Sequence, residues 1–387
     1  MRTRIFVLAL IFVIALVSLA VIRDRRGLSD IFSGEPPVRV GHGLALVKPT
    51  PYPTPVPTPK PTAEPTPEPT PEPRVPVFYG GQLELPVVGA TGWAAAQLQL
   101  HTEPLSPSAL GFTVMPAGQV FSIEDEYNEW WNVRLPNGNA GWVQSRGCFI
   151  NLPDVIPSIV FNISNASYSL LRSLGYDIPG VSGYALYQAW GHNTRLGREE
   201  FLVPVQLMTA QRLKRVQQAA LAQGDTIVMY EAFRPHQVQR HIVSNFSALI
   251  NGNADIRAAV NTPPWSINWF ISTGISHHQR GAAVDVSFAR VDAYEIRFYG
   301  DYAYKHITGF VEYEMPTAMH ELSPAAATLV RPGGRVADTM TDGALRMQEL
   351  FLRYGFTLLA SEWWHFNDPD AVQNAHSFGM RGEFLLQ

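Results

Sequence analysis

The sequence contains very little cysteine, and its larger C-terminal part lacks an excess of positive charge. A single cysteine, Cys148, stands among 387 residues, which excludes an internal disulfide framework and any metal site built from several cysteines. Residues 1–76 hold nine Lys/Arg and six Asp/Glu, so the remaining 20 and 27 give residues 77–387 a net charge of −7. An acidic region of this kind argues against nucleic acid as a partner.

Proline is concentrated in one tract, since 13 of the 31 prolines lie between Pro49 and Pro76. A stretch so rich in Pro and Thr cannot bury a core. We therefore predict a disordered linker over residues 27–79, with the folded domains beyond it. In polyproline II form, at about 3.1 Å per residue, the tract would extend on the order of 85 Å. The alternative is a disordered spacer that does not need to hold the next domain at a particular distance.

An uncharged run of 18 residues covers positions 5–22 and is flanked by arginines on both sides. Its length is close to the minimum for a membrane-spanning helix and long for a signal-peptide core, so residues 1–26 are predicted to form a membrane anchor. Ser18 and Ala20 could instead form a cleavage site, which would make the protein secreted. In either case, a Pro/Thr stalk that leads to folded domains favours an extracytoplasmic location.

Residues 80–152 are predicted to form short strands. Residues 131–135 and 140–144 each alternate between apolar and polar side chains, and Asn137-Gly138 between them is a strong hairpin signal. The last hairpin of bacterial SH3-like domains commonly reads W-x-x-V-x-x-x-x-G-x-x-G-W-V. The segment resembles this pattern at Trp131, Val133 or Arg134, Gly138, Gly141, Trp142 and Val143. The resemblance implies a small all-β SH3-like barrel that binds cell-wall peptide. A spacer barrel whose tryptophans only form a core is the alternative.

From residue 153 onward the pattern changes to mixed helix and strand, which predicts an α+β domain over residues 153–387. An amphipathic helix is expected at residues 208–223, with Thr209 as its possible N-cap and Gly224 as its end. The other expected elements are a helix at 345–354 and strands at 225–233 and 356–360.

The segment from Ser276 to Asp285 carries the most chemical information. Residues 284–288 alternate, so a strand would place Asp285 on the face opposite an apolar triplet. His278 lies on the preceding loop, and Gly281 lets the chain turn between the two. An imidazole and a carboxylate that converge on one point are typical ligands of zinc or another divalent ion, which needs at least one more ligand.

His365 can supply this third ligand. Glu362 lies three residues earlier, and a regular strand would put the two side chains on opposite faces, so the backbone must bend if both face the metal. A zinc ion with two histidines, one carboxylate and a water would lower the pKa of that water to ~7. A free carboxylate beside it could then act as general base.

Three sequence elements form one larger pattern. They are S-x-H-x-x-G-x-A-x-D at Ser276, His278, Gly281, Ala283 and Asp285, E-W-W-H at Glu362, Trp363, Trp364 and His365, and F-R-P at Phe233, Arg234 and Pro235. Together they resemble the zinc D-alanyl-D-alanine dipeptidase family of the vancomycin-resistance type, within the larger group of D,D-peptidases and D,D-carboxypeptidases. The family's third element has Tyr where this chain has Phe233. The resemblance covers roughly residues 155–387.

The resemblance implies one zinc ion per chain, with the ligands His278, Asp285 and His365. It further implies that Glu362 activates the water and passes its proton to the leaving amine. Arg234 would stabilise the oxyanion that develops on the scissile carbonyl, although a structural ion pair is the alternative for this residue. The implied fold is the antiparallel-sheet type shared by Hedgehog and D,D-peptidase domains.

The resemblance also indicates substrate contacts. Ser276 would hydrogen-bond the substrate near its C-terminal carboxylate. In the dipeptidases, an M-G-x-x-F-D segment supplies an aspartate that helps to hold the free amino group. The matching stretch here ends in His320, which removes the fixed negative charge, and Glu321 is the candidate substitute. A peptidoglycan stem peptide that ends in D-Ala-D-Ala therefore becomes a credible substrate beside the free dipeptide.

These observations predict an anchored, exported zinc metallopeptidase that hydrolyses D-Ala-D-Ala bonds of cell-wall peptides. A second hypothesis is a wall-binding protein whose peptidase-like domain is catalytically inactive. The presence of Glu362 argues against it, because a binding module needs no general base. A peptidase that acts on ordinary L-peptides is the third possibility.

Overall fold

A computed structural model of the protein describes residues 75–104 and 111–386. The predicted anchor at residues 1–26 and the Pro/Thr tract lie outside the described residues. Within the described ranges, no helix combines the length and the apolar character that a membrane span requires.

The strands of the described residues lie in two larger sheets and three two-stranded pairs. In chain order they are β1 (Thr91–Ala94), β2 (Leu98–Leu100), β3 (Thr113–Met115), β4 (Val120–Tyr127), β5 (Trp130–Arg134), β6 (Ala140–Gln144), β7 (Cys148–Asn151), β8 (Val160–Phe161), β9 (Arg172–Ser173), β10 (Tyr176–Asp177), β11 (Trp190–Asn193), β12 (Arg198–Phe201), β13 (Pro204–Gln206), β14 (Asp225–Glu231), β15 (Ala283–Tyr299), β16 (Tyr302–Glu312), β17 (Thr357–Leu359) and β18 (Glu362–Asn367).

The α-helices of the described residues all follow β7. They are α1 (Leu152–Val155), α2 (Ser164–Ser167), α3 (Leu207–Leu221), α4 (His236–Gly252), α5 (Ala254–Asn261), α6 (Ile267–Phe270), α7 (Asp342–Arg353) and α8 (Pro369–Phe378).

The N-terminal sheet has the strand order β13-β7-β1-β4-β5-β6 and is antiparallel throughout. The expected hairpin is present as β5 and β6, with Trp131 opposite Val143. Gly138 in the connecting turn has a φ of 87°, which glycine adopts without steric cost. A bridge between His101 and Trp142 joins β6 to the end of β2. The segment is therefore all-β, and its SH3-like character stays a prediction.

The N-terminal sheet includes a strand from beyond the predicted domain boundary at residue 152. In β13, Val205 pairs with Ile150 of β7. Phe149 of β7 also packs against Phe233, with ring centroids 5.6 Å apart. The segments 80–152 and 153–387 thus share a sheet and an aromatic contact, while the boundary drawn between them remains a prediction.

The second large sheet carries the chemistry and has the order β17-β18-β15-β14-β8, with β16 also paired to β15. β8 runs parallel to β14, and the other pairs are antiparallel. Helices α3 and α7 pack on this sheet through apolar faces that bury Leu213, Val216, Met347 and Phe351 completely. The architecture is α+β with mainly antiparallel sheets, as predicted.

The start of α3 differs from the expectation. The helix begins at Leu207, and its N-cap residue Gln206 makes no side-chain capping bond. Thr209 lies inside the first turn, where its hydroxyl donates to Asp368 Oδ2 at 3.1 Å. Asp368 in turn caps α8. The prediction of Thr209 as N-cap was wrong because this hydroxyl serves a contact between two helices that are distant in sequence.

Candidate metal centre

Three neighbouring strands bring the candidate residues together. β15 is the middle strand, and its Asp285 lies opposite His365 of β18 on one side and opposite Glu231 of β14 on the other. His278 precedes β15 in a 3-10 turn that ends at Gly281, whose φ of 59° allows the chain to reverse into the strand. Antiparallel register therefore places an imidazole and two carboxylates side by side.

Three ligand atoms surround a common point at this position. His278 Nε2 lies 3.3 Å from Asp285 Oδ1 and 3.2 Å from His365 Nδ1. His365 Nδ1 lies 3.0 Å from Asp285 Oδ1. A tetrahedral ion with bonds of about 2.0–2.1 Å holds its ligand atoms roughly 3.3 Å apart, so the three atoms fit a bound metal. All three side chains are buried, and the group could hold a metal ion.

A main-chain carbonyl orients the first of these ligands. His278 Nδ1 lies 2.8 Å from the carbonyl oxygen of Ala232. Because a carbonyl can only accept, Nδ1 carries the proton, and the lone pair is on Nε2. The ring therefore presents a free nitrogen to Asp285 and His365, as metal ligation requires.

Glu362 lies next to the three ligand atoms, with Oε2 3.8 Å from His365 Nδ1. The register of β17 against β18 shifts between Leu358 and Leu359, where Leu359 pairs with Glu362. This irregularity lets Glu362 and His365 meet although they are three residues apart. Burial raises the pKa of the Glu362 carboxyl to about 8, although His365 opposes the shift. A cation at the three ligands would lower it.

Arg234 follows β14 and is only 5% exposed. Its guanidinium donates to Glu231 Oε2 and, at 2.8 Å, to Gln239 Oε1. Nη2 also lies 3.6 Å from Asp285 Oδ2. Burial alone would lower the pKa of Arg234, but Glu231 and Asp285 outweigh it and raise that pKa. The arginine is thus fixed as a cation beside the metal centre.

Glu231 is a residue of this site that the sequence motifs did not indicate. It is completely buried at the end of a strand whose residues are all buried. Together with Asp285 and His320 it forms a second group of possible ligands within the described residues. The ion pair with Arg234 Nη2 occupies one of its oxygens, so we assign it to holding the arginine. The signal in the sequence is an acidic residue at the end of an apolar strand, three positions before Arg234.

The two residues expected to contact the substrate amino group lie in different surroundings. His320 is 1% exposed, and its Nε2 lies 3.1 Å from Asp285 Oδ2, on the side away from the ligand oxygen. Glu321 accepts hydrogen bonds from the main-chain N–H groups of Leu174 and Gly175, at 2.5 and 3.2 Å. The structure therefore brings His320 to the candidate metal centre, whereas the carboxylate of Glu321 binds the main chain of the β9–β10 turn.

A cavity of about 180 Å³ opens onto the metal centre. His278, Asp285, Glu362 and His365 lie on one side of it, and the other walls come from the α6 segment, Leu171 and Leu322. Ser276 also lines it, and its buried Oγ has no hydrogen-bond partner in the described part of the chain. Cavities for whole drug-sized ligands measure about 300–1,000 Å³, so this one is suited to the end of a peptide.

A buried centre of two histidines and one aspartate, with a further carboxylate beside it, is the arrangement of a metal-dependent hydrolase. Residues 166–381 match the sequence model of the D-ala-D-ala dipeptidase family, which is more than half of the chain. The chain therefore belongs to this family, and the resemblance drawn from its motifs is confirmed. Membership supports a metallopeptidase that acts on substrates of the D-Ala-D-Ala type. Among curated proteins, none matches the chain.

Proposed function

We propose that this protein is a zinc-dependent peptidase that hydrolyses D-Ala-D-Ala bonds of cell-wall peptides. The observation that carries the proposal is the convergence of His278 Nε2, Asp285 Oδ1 and His365 Nδ1 beside the Glu362 carboxylate. Two imidazole nitrogens and one carboxylate oxygen are the ligand set of catalytic rather than structural zinc sites. When bound, zinc acts as a Lewis acid that activates water and polarises the scissile carbonyl.

Glu362 is the proposed general base. Its carboxylate accepts the proton of the attacking water, becomes a carboxylic acid, and then gives that proton to the amine of the leaving D-Ala. Burial raises the pKa of Glu362, which favours the neutral acid of the second step, whereas a bound cation lowers that pKa and favours the carboxylate that the first step needs. The 3.8 Å between Glu362 Oε2 and His365 Nδ1 supports this role.

Arg234 is the proposed stabiliser of the oxyanion. Glu231 and Gln239 hold two of its nitrogens, while its Nε has no hydrogen-bond partner among the described residues. A fixed cation with a free donor stabilises negative charge that develops on the scissile carbonyl without reorganising during the reaction. Ser276 Oγ, also without a partner, is the proposed donor to the C-terminal carboxylate of the substrate.

The cavity walls favour a peptide whose amino group is acylated. Among the described lining residues, the carboxylates are Asp285 and Glu362, and both belong to the catalytic centre. The carboxylate of Glu321 is hydrogen-bonded to the main chain of the β9–β10 turn. Among the described residues that line the cavity, no further carboxylate remains to pair with a free ammonium group. We therefore propose that a stem peptide ending in D-Ala-D-Ala is a better substrate than the free dipeptide.

The proposal is tested with the full-length chain, purified in detergent and loaded with zinc. The substrates are free D-Ala-D-Ala, its N-acylated form and a stem pentapeptide, and released D-Ala is measured. We expect kcat/KM to be higher for the two longer substrates. If no D-Ala is released while zinc is bound, the protein is a catalytically inactive wall-binding protein. Equal cleavage of a matched L-Ala-L-Ala peptide would instead identify an L-peptidase.

The proposed location follows from the substrate. Peptidoglycan stem peptides lie outside the cytoplasmic membrane, which agrees with the anchor predicted at residues 1–26 and the linker at 27–79. We further propose that the sheet of residues 80–152 is an SH3-like module that contacts the cell wall. Its all-β character and the hairpin of β5 and β6 support this assignment.

A further inference from the structure

His365 and Asn367 lie two residues apart on β18, so their side chains share one face of the strand. Asn367 Oδ1 lies 2.9 Å from His365 Nε2. The same oxygen lies 2.7 Å from Nδ1 of His277. Both distances are those of good hydrogen bonds, so one amide oxygen connects two imidazole rings.

The contact with Asn367 fixes where His365 carries its proton. An amide oxygen can only accept, so the ring nitrogen that faces it, Nε2, must be the protonated one. The lone pair of the neutral ring is then on Nδ1. Nδ1 is the atom that lies 3.0 Å from Asp285 Oδ1 and 3.2 Å from His278 Nε2. The bond to Asn367 therefore selects the tautomer that can bind a metal.

His277 is compatible with this orientation of the amide. With its ring protonated at Nδ1 it donates to the second lone pair of Asn367 Oδ1, and the oxygen then receives two hydrogen bonds. A half-turn of the amide would point its NH2 group at both rings. His365 would then need its lone pair on Nε2 and its proton on Nδ1, directed at Asp285, which is the form that cannot bind the metal.

The two histidine ligands are thus oriented in the same way by different groups. His278 donates its Nδ1–H to the main-chain carbonyl of Ala232, whereas His365 donates its Nε2–H to a side chain. Groups that fix the ring orientation and tautomer of a ligating histidine contribute strongly to metal affinity. A side chain, unlike a carbonyl of the main chain, can be replaced in an experiment.

We infer that Asn367 is a positioning residue of the metal centre, which accepts a hydrogen bond from Nε2 of His365 and so leaves Nδ1 as the nitrogen that binds the metal. The inference rests on the proposed function, since it assumes that the three ligands bind zinc. Asn367 is not one of the three candidate ligands. Neither Asn367 nor His277 is one of the motif positions that identify the family.

The test compares Asn367→Leu with the matched variant Asn367→Asp. Leucine has similar volume but accepts no hydrogen bond, whereas a carboxylate accepts from both rings. Zinc affinity is measured by competition with a chromophoric chelator, and we expect Asn367→Leu to bind zinc about 10- to 100-fold more weakly. Asn367→Asp should bind zinc at least as tightly as the parent protein.

A second measurement reads the tautomer directly. Nitrogen-15 chemical shifts of the histidine rings are recorded in zinc-free full-length protein, with the signal of His365 assigned by its loss in His365→Gln. In the parent protein and in Asn367→Asp we expect His365 to be protonated at Nε2. In Asn367→Leu the acceptor at Nε2 is lost while Asp285 remains at Nδ1, so we expect the proton to shift from Nε2 towards Nδ1. A residue that only filled space would not change this ratio.

Several outcomes would overturn the inference. They are equal zinc affinity in Asn367→Leu and the parent, equal loss of affinity in Asn367→Leu and Asn367→Asp, and a zinc-free parent whose His365 is protonated on Nδ1 and not on Nε2. The last outcome decides the matter even if Asn367→Leu does not fold. A parent protein that binds no zinc counts against the proposed function, while the tautomer of His365 still decides the role of Asn367.

Discussion

The ring of Phe149, on β7 of the N-terminal sheet, packs 5.6 Å from the ring of Phe233, the residue directly before Arg234. Phe233 also stacks on Phe384, with a centroid distance of 5.0 Å. Phe149 also lies against the turn that carries His278. A Cβ built at Gly281 of this turn would come within 2.8 Å of Phe149 Cε1. The N-terminal sheet therefore contacts both segments that carry Arg234 and His278.

The first prediction concerns this aromatic contact. Phe149→Ala should lower the free energy of unfolding by about 3–5 kcal/mol, because it empties a fully buried site. It should also lower kcat/KM, because the segments that carry Arg234 and His278 lose their support. Urea denaturation and D-Ala release measure the two effects. Phe112→Ala, at a position that is 55% exposed, is the control and should change stability by no more than about 0.5 kcal/mol. If Phe149→Ala lowered the free energy of unfolding by no more than about 0.5 kcal/mol, the prediction would be contradicted.

The second prediction separates catalysis from metal binding. Glu362→Gln keeps the shape of the side chain but removes the proton acceptor, so kcat should fall by about 10²- to 10⁴-fold or more, while one zinc ion per chain is retained. His278→Ala should lose both zinc and activity. Metal content by mass spectrometry and kcat by D-Ala release check the pair. Full activity in Glu362→Gln would show that another group is the base.

The third prediction concerns the buried ion pair of Glu231 and Arg234. Glu231→Leu leaves the guanidinium buried without its strongest partner, which should lower the free energy of unfolding by roughly 3–5 kcal/mol. Glu231→Gln should cost less, since its amide oxygen can still accept from Arg234. Both variants should lower kcat more than they raise KM, because the proposed role of the arginine is to stabilise charge that develops during the reaction.

Urea denaturation and steady-state kinetics measure these effects on Glu231. If Glu231→Leu were as stable as the parent, the carboxylate would not be what holds Arg234 in place. A rise in KM alone would assign the arginine to substrate binding instead.

The three candidate ligands could be recognised from the sequence, whereas the position of Glu231 beside them could not. His278, Asp285 and His365 lie in local motifs, and alternation along residues 284–288 already put Asp285 on one face of a strand. Glu231 joins them only because β14 and β15 pair with Glu231 opposite Asp285. Such register between strands depends on tertiary packing, which a single sequence does not specify.

Two further features could not be predicted from the sequence, because they too depend on contacts between distant segments. Thr209 has the residue type of an N-cap, but its hydroxyl bonds to Asp368, 159 positions away in sequence. β13 pairs with β7 across the predicted domain boundary, although nothing in its three residues marks this partner. Local propensity indicates which element forms, and long-range contacts decide what the element touches.

Glu84, which is not among the residues of the candidate metal centre, provides a pH-dependent contribution to stability. Its carboxyl group accepts hydrogen bonds from the hydroxyl and the main-chain N–H of Ser158, at 2.5 and 3.1 Å. Burial raises the pKa of Glu84 from 4.5 to about 7, although Ser158, Lys214 and Lys305 oppose the shift. Between these two pH values the folded protein keeps a proton that the unfolded chain has lost.

The fourth prediction follows from this difference in proton binding. Because the folded state binds more protons than the unfolded state, the contribution of Glu84 to stability is greatest below pH 4.5 and is lost as the pH rises to about 7. Glu84→Gln is neutral at every pH, so its stability relative to the parent should increase across this window and become constant above it. Urea denaturation at several pH values between 4.5 and 8 measures the difference.

Glu103→Gln, at an exposed position, is the control and should follow the parent throughout. A constant difference between Glu84→Gln and the parent would show that Glu84 titrates alike in both states.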